Sequence, residues 1–165
     1  MWTEHTIEEL IQNPSTHYGK GDGTNYVPIA STSDLTNDWW NPETKTLYDP
    51  CPNGYRIPKL GTYGTGSEVA THPDWSDWSE GGLKSGRTFK NTSFFPASGI
   101  RGYNNGTYVR VPTEGSYWAA TSHSTINGYF MKFTSSFVDP NRTASRSWGL
   151  SLRCIAEQSV IPSVN

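Results

Sequence analysis

At 165 residues the chain is long enough for one domain with a real core. Only 33% of it is hydrophobic, but 13% is aromatic, with seven Trp, nine Tyr and six Phe, so rings must supply much of the buried area. Charged residues make up 17% and the formal net charge is −2, which leaves no electrostatic footprint for nucleic acid or an anionic membrane; no apolar run approaches the roughly 18 residues of a membrane-spanning helix, so direct membrane insertion is not expected either.

Taken in order, the one helical signal comes first. Thr6 precedes "IEELIQN" with Glu9 three residues later, a capping-box spacing, and Pro14 stops the helix after about two turns. No charged-then-apolar export signal opens the chain, so any such signal is expected upstream. Residues 19–52 are polar and turn-rich and read as coil with brief strands, "KTLY" being one. Residues 60–86, "LGTYGTGSEVATHPDWSDWSEGGLKSG", hold no sustained period and read as a long ordered loop or a short helix flanked by loops. The rest alternates β-branched and aromatic residues in "TSFFPASGIRG", "TYVRVPTEGSYWAATS", "GYFMKFTSS" and "WGLSLRCIAE", separated by "NNG", "TEG" and "DPN" turns. These predict an antiparallel sheet of short strands. Residues 158–165 read as a tail.

Two cysteines stand far apart. Cys51 sits in the rigid turn "YDPCPNGYRIP" and Cys154 in "SLRCIAE". They form a disulfide if the protein is exported and two quiet buried thiols if it is cytosolic; a bridge closing about 100 residues would contribute roughly 4 kcal/mol. Other chemistry-bearing types are scattered. Asp74, Asp77 and Glu80 in "PDWSDWSE" suit a turn or helix cap better than a calcium or acid/base cluster. His5, His17, His72 and His123 lack ligand spacing, so no metal or other cofactor is expected. "GKGDG" lacks the frame of a phosphate loop. Trp39 and Trp40 read as anchors that tie a loop to the core rather than as a sugar platform.

Four ordered motifs carry a resemblance. "YDPCPNGYRIP", "FFPASGIRG", "GSYWAATS" and "RSWGLSLRCIAE" follow one another as in a C-type-lectin-like domain of surface proteins from Bacteroidetes and Fibrobacter. The match covers residues 45–157, and "TIEELIQNPSTHY" is similar to the lead-in of that domain in fimbrillin-like proteins. The resemblance implies an α+β, C-type-lectin-like fold: short antiparallel sheets, few short helices and long ordered loops, in one domain over residues 1–165 with residues 1–44 packed on it as a lead-in. It implies a disulfide between Cys51 and Cys154 and an extracellular location on a bacterial cell surface or pilus. The calcium signatures Glu-Pro-Asn and Trp-Asn-Asp are absent from the sequence, so calcium-dependent sugar binding is not expected.

Related domains of this fold include the variable proteins of diversity-generating retroelements, which rewrite Asn-type codons over one fixed surface. Residues 122–148 resemble such a face. The candidate ligand-binding positions are Ser122, His123, Thr125, Ile126, Tyr129, Phe137, Asp139, Asn141, Arg142, Thr143, Ser145, Ser147 and Trp148. Met131 and Lys132 do not fit Asn-derived codons and are skipped.

The function expected is non-enzymatic: an adhesin-type domain within a larger surface or pilus protein that binds a protein or glycan on a host or neighbouring cell. A structural pilus subunit without a dedicated ligand is one alternative, distinguished by whether Tyr129, Phe137 and Trp148 are exposed together. The other is an oxidase related to the sulfatase-activating enzymes, which needs a redox-active cysteine pair where these two look structural.

Overall fold

The computed structural model describes residues 20–21, 26–27, 40–46, 49–103, 106–124 and 127–157. The helix expected from Thr6, residues 47–48 of the "KTLY" strand and the tail 158–165 lie outside them. Strands β1 (Lys20–Gly21) and β2 (Tyr26–Val27) form one antiparallel pair. Likewise β3 (Tyr55–Arg56) pairs with the last strand, β11 (Ile155–Ala156), β4 (Gly86–Phe89) with β5 (Ser93–Pro96), and β6 (Ile100–Arg101) with β7 (Tyr108–Val109). The longest strands, β8 (Gly115–Ser122), β9 (Asn127–Phe133) and β10 (Val138–Ser145), form an antiparallel sheet in the order β10-β9-β8.

Among the described residues the only helical piece is one 3-10 turn, Gly82–Lys84. The α+β expectation is therefore corrected: the described fold is nearly all small antiparallel sheets. Residues 60–86 show why. Gly61, Gly64 and Gly66 take φ of 86, 125 and 100°, values a right-handed helix does not contain and that only glycine adopts freely. Beyond them the chain is held extended by single bridges, Val69 to Val138, Trp75 to Phe89 and Ser79 to Gly86.

A second correction concerns "DPN". Rather than turning, Asp139, Pro140 and Asn141 lie inside β10, and the register with β9 slips between Asp139 and Arg142. Pro140 has no N–H to give a ladder; an edge strand with a bulge is where a sheet tolerates one.

The main core is aromatic, as composition predicts. Tyr63, Trp75, Phe95, Ala97, Tyr117, Met131, Phe133 and Val138 are buried together, with Trp78 and Phe89 packed against them. Rings meet mostly edge to face: Phe95 lies 5.2 Å from Tyr63, 5.1 Å from Trp75 and 5.0 Å from Tyr117. Alternation along β9 sends Met131 and Phe133 into this core and turns Phe130 to the other face, where it meets Trp118 at 5.9 Å. The buried Arg87 guanidinium donates to the carbonyls of Ser76, Thr134 and Ser135 at 2.7, 2.9 and 3.1 Å, tying two loops to β4; its burial lowers its pKa.

A smaller cluster holds Cys51, Ile57 and Ala120, with Trp40 and Cys154 against it. Here the rigid turn finds its purpose. Cys51 is bonded to Cys154, S–S 2.07 Å, across a separation of 103 residues. The buried Asp49 carboxylate accepts the amides of Cys51 at 2.8 Å and Ile57 at 3.3 Å and pairs with Lys45 at 3.1 Å. Lys45 also donates to the Cys51 and Tyr55 carbonyls. Trp40 anchors its loop as expected; Trp39 lies outside the described residues.

Candidate functional site

An open cleft of about 280 Å³ lies between the β6–β7 hairpin and the segment that leads to Cys154. Its lining is Ser98, Gly99, Ile100, Arg101, Tyr108, Gly149, Leu150 and Ser151. Backbone pairing fixes both walls. Arg101 and Gly149 exchange N–H···O bonds of 2.7 and 3.0 Å, an approach so close that a Cβ on Gly149 would meet the Arg101 Cβ at 2.8 Å. Ser151 donates to the Ser116 carbonyl and accepts from the Trp118 amide, each at 3.0 Å, which seats the segment on β8. At one side the Ser98 and Ser151 hydroxyls share a bond of 2.6 Å.

One aromatic residue, Tyr108, lines the cleft, and two more, Tyr103 and Trp148, stand near lining residues in the chain. Trp148, next to Gly149, meets Tyr103 at 5.0 Å. Tyr108, 75% exposed, carries the Arg101 guanidinium over its ring at 5.9 Å, and Arg101 is steadied by donating to the Gly106 carbonyl at 2.9 Å. The cleft thus offers two kinds of contact: an aromatic ring whose face sheds water readily, and hydroxyls and a guanidinium that form hydrogen bonds.

A charged knot supports the β7 wall. Residues 110–114 turn the chain from β7 into β8, with Arg110 at φ 64° and a cis Val111-Pro112 bond. The buried Glu114 carboxylate accepts from Lys132 at 2.9 Å, Arg110 at 3.0 Å and the Ser116 hydroxyl at 2.8 Å. Burial alone would raise its pKa; the bonds from Lys132 and Ser116, with the Lys132 and Arg110 charges, outweigh that and hold it below the ordinary carboxylate value.

The predicted ligand face does not come together as one patch. Near the β8–β9 connection, half-buried Ser122 takes a hydrogen bond from Arg146, and exposed His123 stands edge-on to Tyr129 at 5.1 Å. Thr143 pairs across from Tyr129, and Ser145 shares a 2.8 Å bond with Ser147. At the other end of the sheet Phe137 lies under the Lys132 ammonium at 5.6 Å. Asn141 donates to the Gly66 carbonyl, and Arg142 pairs with Glu68 at 3.7 Å. At about 3.3 Å per residue, the two ends of β10 stand roughly 23 Å apart. Phe137, beyond the Val138 end of β10, accordingly stands apart from Trp148, whose amide donates to the Ser145 carbonyl at 3.0 Å at the opposite end. Tyr129, across from Thr143, belongs to the Trp148 end of the sheet, and Trp148 stands next to the cleft through Gly149.

Two members leave the set altogether. Asp139 is 6% exposed and Ser147 9%; the Asp139 carboxylate is used on the Asn141 amide at 3.0 Å and on Arg142 at 3.6 Å, so both are structural. Thr125 and Ile126 lie outside the described residues. The skipped positions have physical reasons: Met131 is core and Lys132 neutralises Glu114.

Sequence reasoning missed Tyr103, Tyr108 and the Ser98–Ser151 pair. The signal was present in "YNNGTY", residues 103–108, where one tyrosine on each side of a tight connection places both rings at a hairpin tip. A family model described as a domain of unknown function, DUF8237, matches residues 36–155. That span takes in both cysteines and the whole cleft, and no curated protein or solved structure matches the chain. The chain belongs to the DUF8237 family.

Proposed function

We propose that this chain is a non-enzymatic ligand-binding domain of an exported bacterial protein, of the adhesin kind carried on a cell surface or pilus. Its recognition face is the cleft with Tyr103, Tyr108 and Trp148, and its partner is a glycan or protein on another cell. The observation that carries the reading is the Tyr103–Trp148 pair beside the cleft, two large rings in contact outside both hydrophobic clusters. Core rings are accounted for by packing. Rings gathered with an arginine at the mouth of a cleft are instead the composition of recognition surfaces, where rigid side chains give contact area at low entropy cost.

The polar side chains of the cleft are hydroxyls and a guanidinium, suited to holding a ligand rather than to taking up and returning a proton near neutral pH. Export is supported by the Cys51–Cys154 bond, since such bridges persist in oxidising compartments, and by the motif resemblance to surface proteins. Exposed His123, Arg142 and Thr143 extend the variable surface away from the cleft. If they are diversified, the gene is accompanied by a near-identical template repeat that differs at adenines, beside a reverse transcriptase gene.

The direct test is a screen of the domain on glycan and extracellular-protein arrays. Trp148→Ala is expected to weaken the ligands found by about 1–2 kcal/mol while the domain stays folded. Ligands held equally well by Trp148→Ala and Tyr103→Ala would refute the reading, as would unfolding of Trp148→Ala, which would make that ring part of the core.

A further inference from the structure

Resting on that binding reading, the geometry points to a pyranose sugar as the occupant of the cleft itself, with one ring seated against Tyr108 and its hydroxyls reaching Ser98 and Ser151. A pyranose has an apolar C–H face and a rim of hydroxyls. The cleft is divided the same way: Tyr108, Ile100 and Leu150 give apolar wall, and the Ser98–Ser151 pair gives a polar corner. Each serine hydroxyl has one donor and two acceptor sites, so their mutual bond leaves acceptor capacity for a ligand O–H.

Size supports a single ring. About 280 Å³ falls just below the range of pockets for drug-sized ligands, roughly 300 to 1,000 Å³. The Arg101–Gly149 bridge makes a backbone wall where a peptide in extended form would need an open groove.

The platform is also prepared in advance. Tyr108 is the most exposed large apolar side chain among the described residues, yet it is not loose. It pairs in register with Arg101, whose guanidinium lies over its ring and is itself tethered to Gly106. A ring already fixed loses little rotamer freedom on stacking.

The test is a titration of ¹⁵N-labelled protein with the methyl glycosides of glucose, galactose, mannose and N-acetylglucosamine at millimolar concentration, followed by amide shifts. At least one glycoside should move the amides of Gly99, Tyr108, Gly149 and Ser151. Tyr108→Ala should weaken that binding at least tenfold, with Tyr108→Trp retaining it; the exposure of Tyr108 means that both variants fold, which the amide spectrum checks. No shift at those amides with any glycoside, or shifts unchanged in Tyr108→Ala, overturns the sugar assignment. If array proteins still depend on Trp148 in that case, the binding reading stands and only the sugar falls; if nothing depends on the aromatic rim, both fall.

Discussion

The two hydrophobic clusters solve the same problem with different means. Around Phe95 and Phe133 the chain buries eight side chains, from the 60–86 loop, strands β5, β8, β9 and β10, and Ala97 just after β5, with more rings at the margin. Around Cys51 it buries only three, two of them small. The first cluster is held by area; the second has too little area and is held by a covalent bond, an ion pair and two backbone N–H hydrogen bonds to the Asp49 carboxylate. A staple is placed where apolar burial runs short, which is also where β11 must be returned to β3.

Removing the staple is the strongest way to break that comparison. Cys51→Ala with Cys154→Ala frees a loop of 103 residues and should cost about 4–5 kcal/mol on the chain-entropy model, read from urea unfolding. Hydrogen exchange should rise first at residues 51–57 and 154–156, with 117–133 still protected; equal loss in both regions would show that the clusters are one unit. Next, Phe95→Ala should cost about 4 kcal/mol by opening a cavity among rings that cannot all close on it. That loss should persist in the reduced protein.

The smallest effect sharpens the boundary between core and cleft. Glu114→Gln leaves the part-buried Lys132 ammonium without its carboxylate and should cost about 2–3 kcal/mol. Because the folded carboxyl sits below its ordinary value, its contribution is complete above the unfolded-state value of about 4.3 and is lost as pH falls through the lower folded one. Wild-type stability should therefore fall on acidification through that window more steeply than that of Glu114→Gln. Identical acid slopes would remove Glu114 from the account of the β7 wall.

Much of this was legible in the residues and some was not. Composition already demanded an aromatic interior, and the β8 and β9 stretches alternate plainly enough to be read. "DPN" misled because a proline between Asp and Asn is the usual mark of a turn; nothing local says that a bulge in an edge strand will absorb it. The glycines of residues 60–66 did weaken the helix expectation, but the extended path beyond them depends on bridges to Val138, Phe89 and Gly86, contacts remote in sequence. The candidate face, residues 122–148, is one continuous segment in the sequence. A strand of eight residues instead carries its two ends to distant places, and half its side chains inward. None of that set lines the cleft; Trp148 stands next to it through Gly149, and the tyrosine of the lining, Tyr108, comes from the earlier hairpin.

Pro140 has one more consequence. An unpaired strand edge is an invitation to neighbouring molecules, since its bare amides and carbonyls can template fibrils. Along β10 the 66–69 loop shields the first part, the proline and its slipped register interrupt the middle, and exposed Arg142 and Thr143 mark the remainder. A second copy finds no continuous row to join, and the sheet stops at three strands.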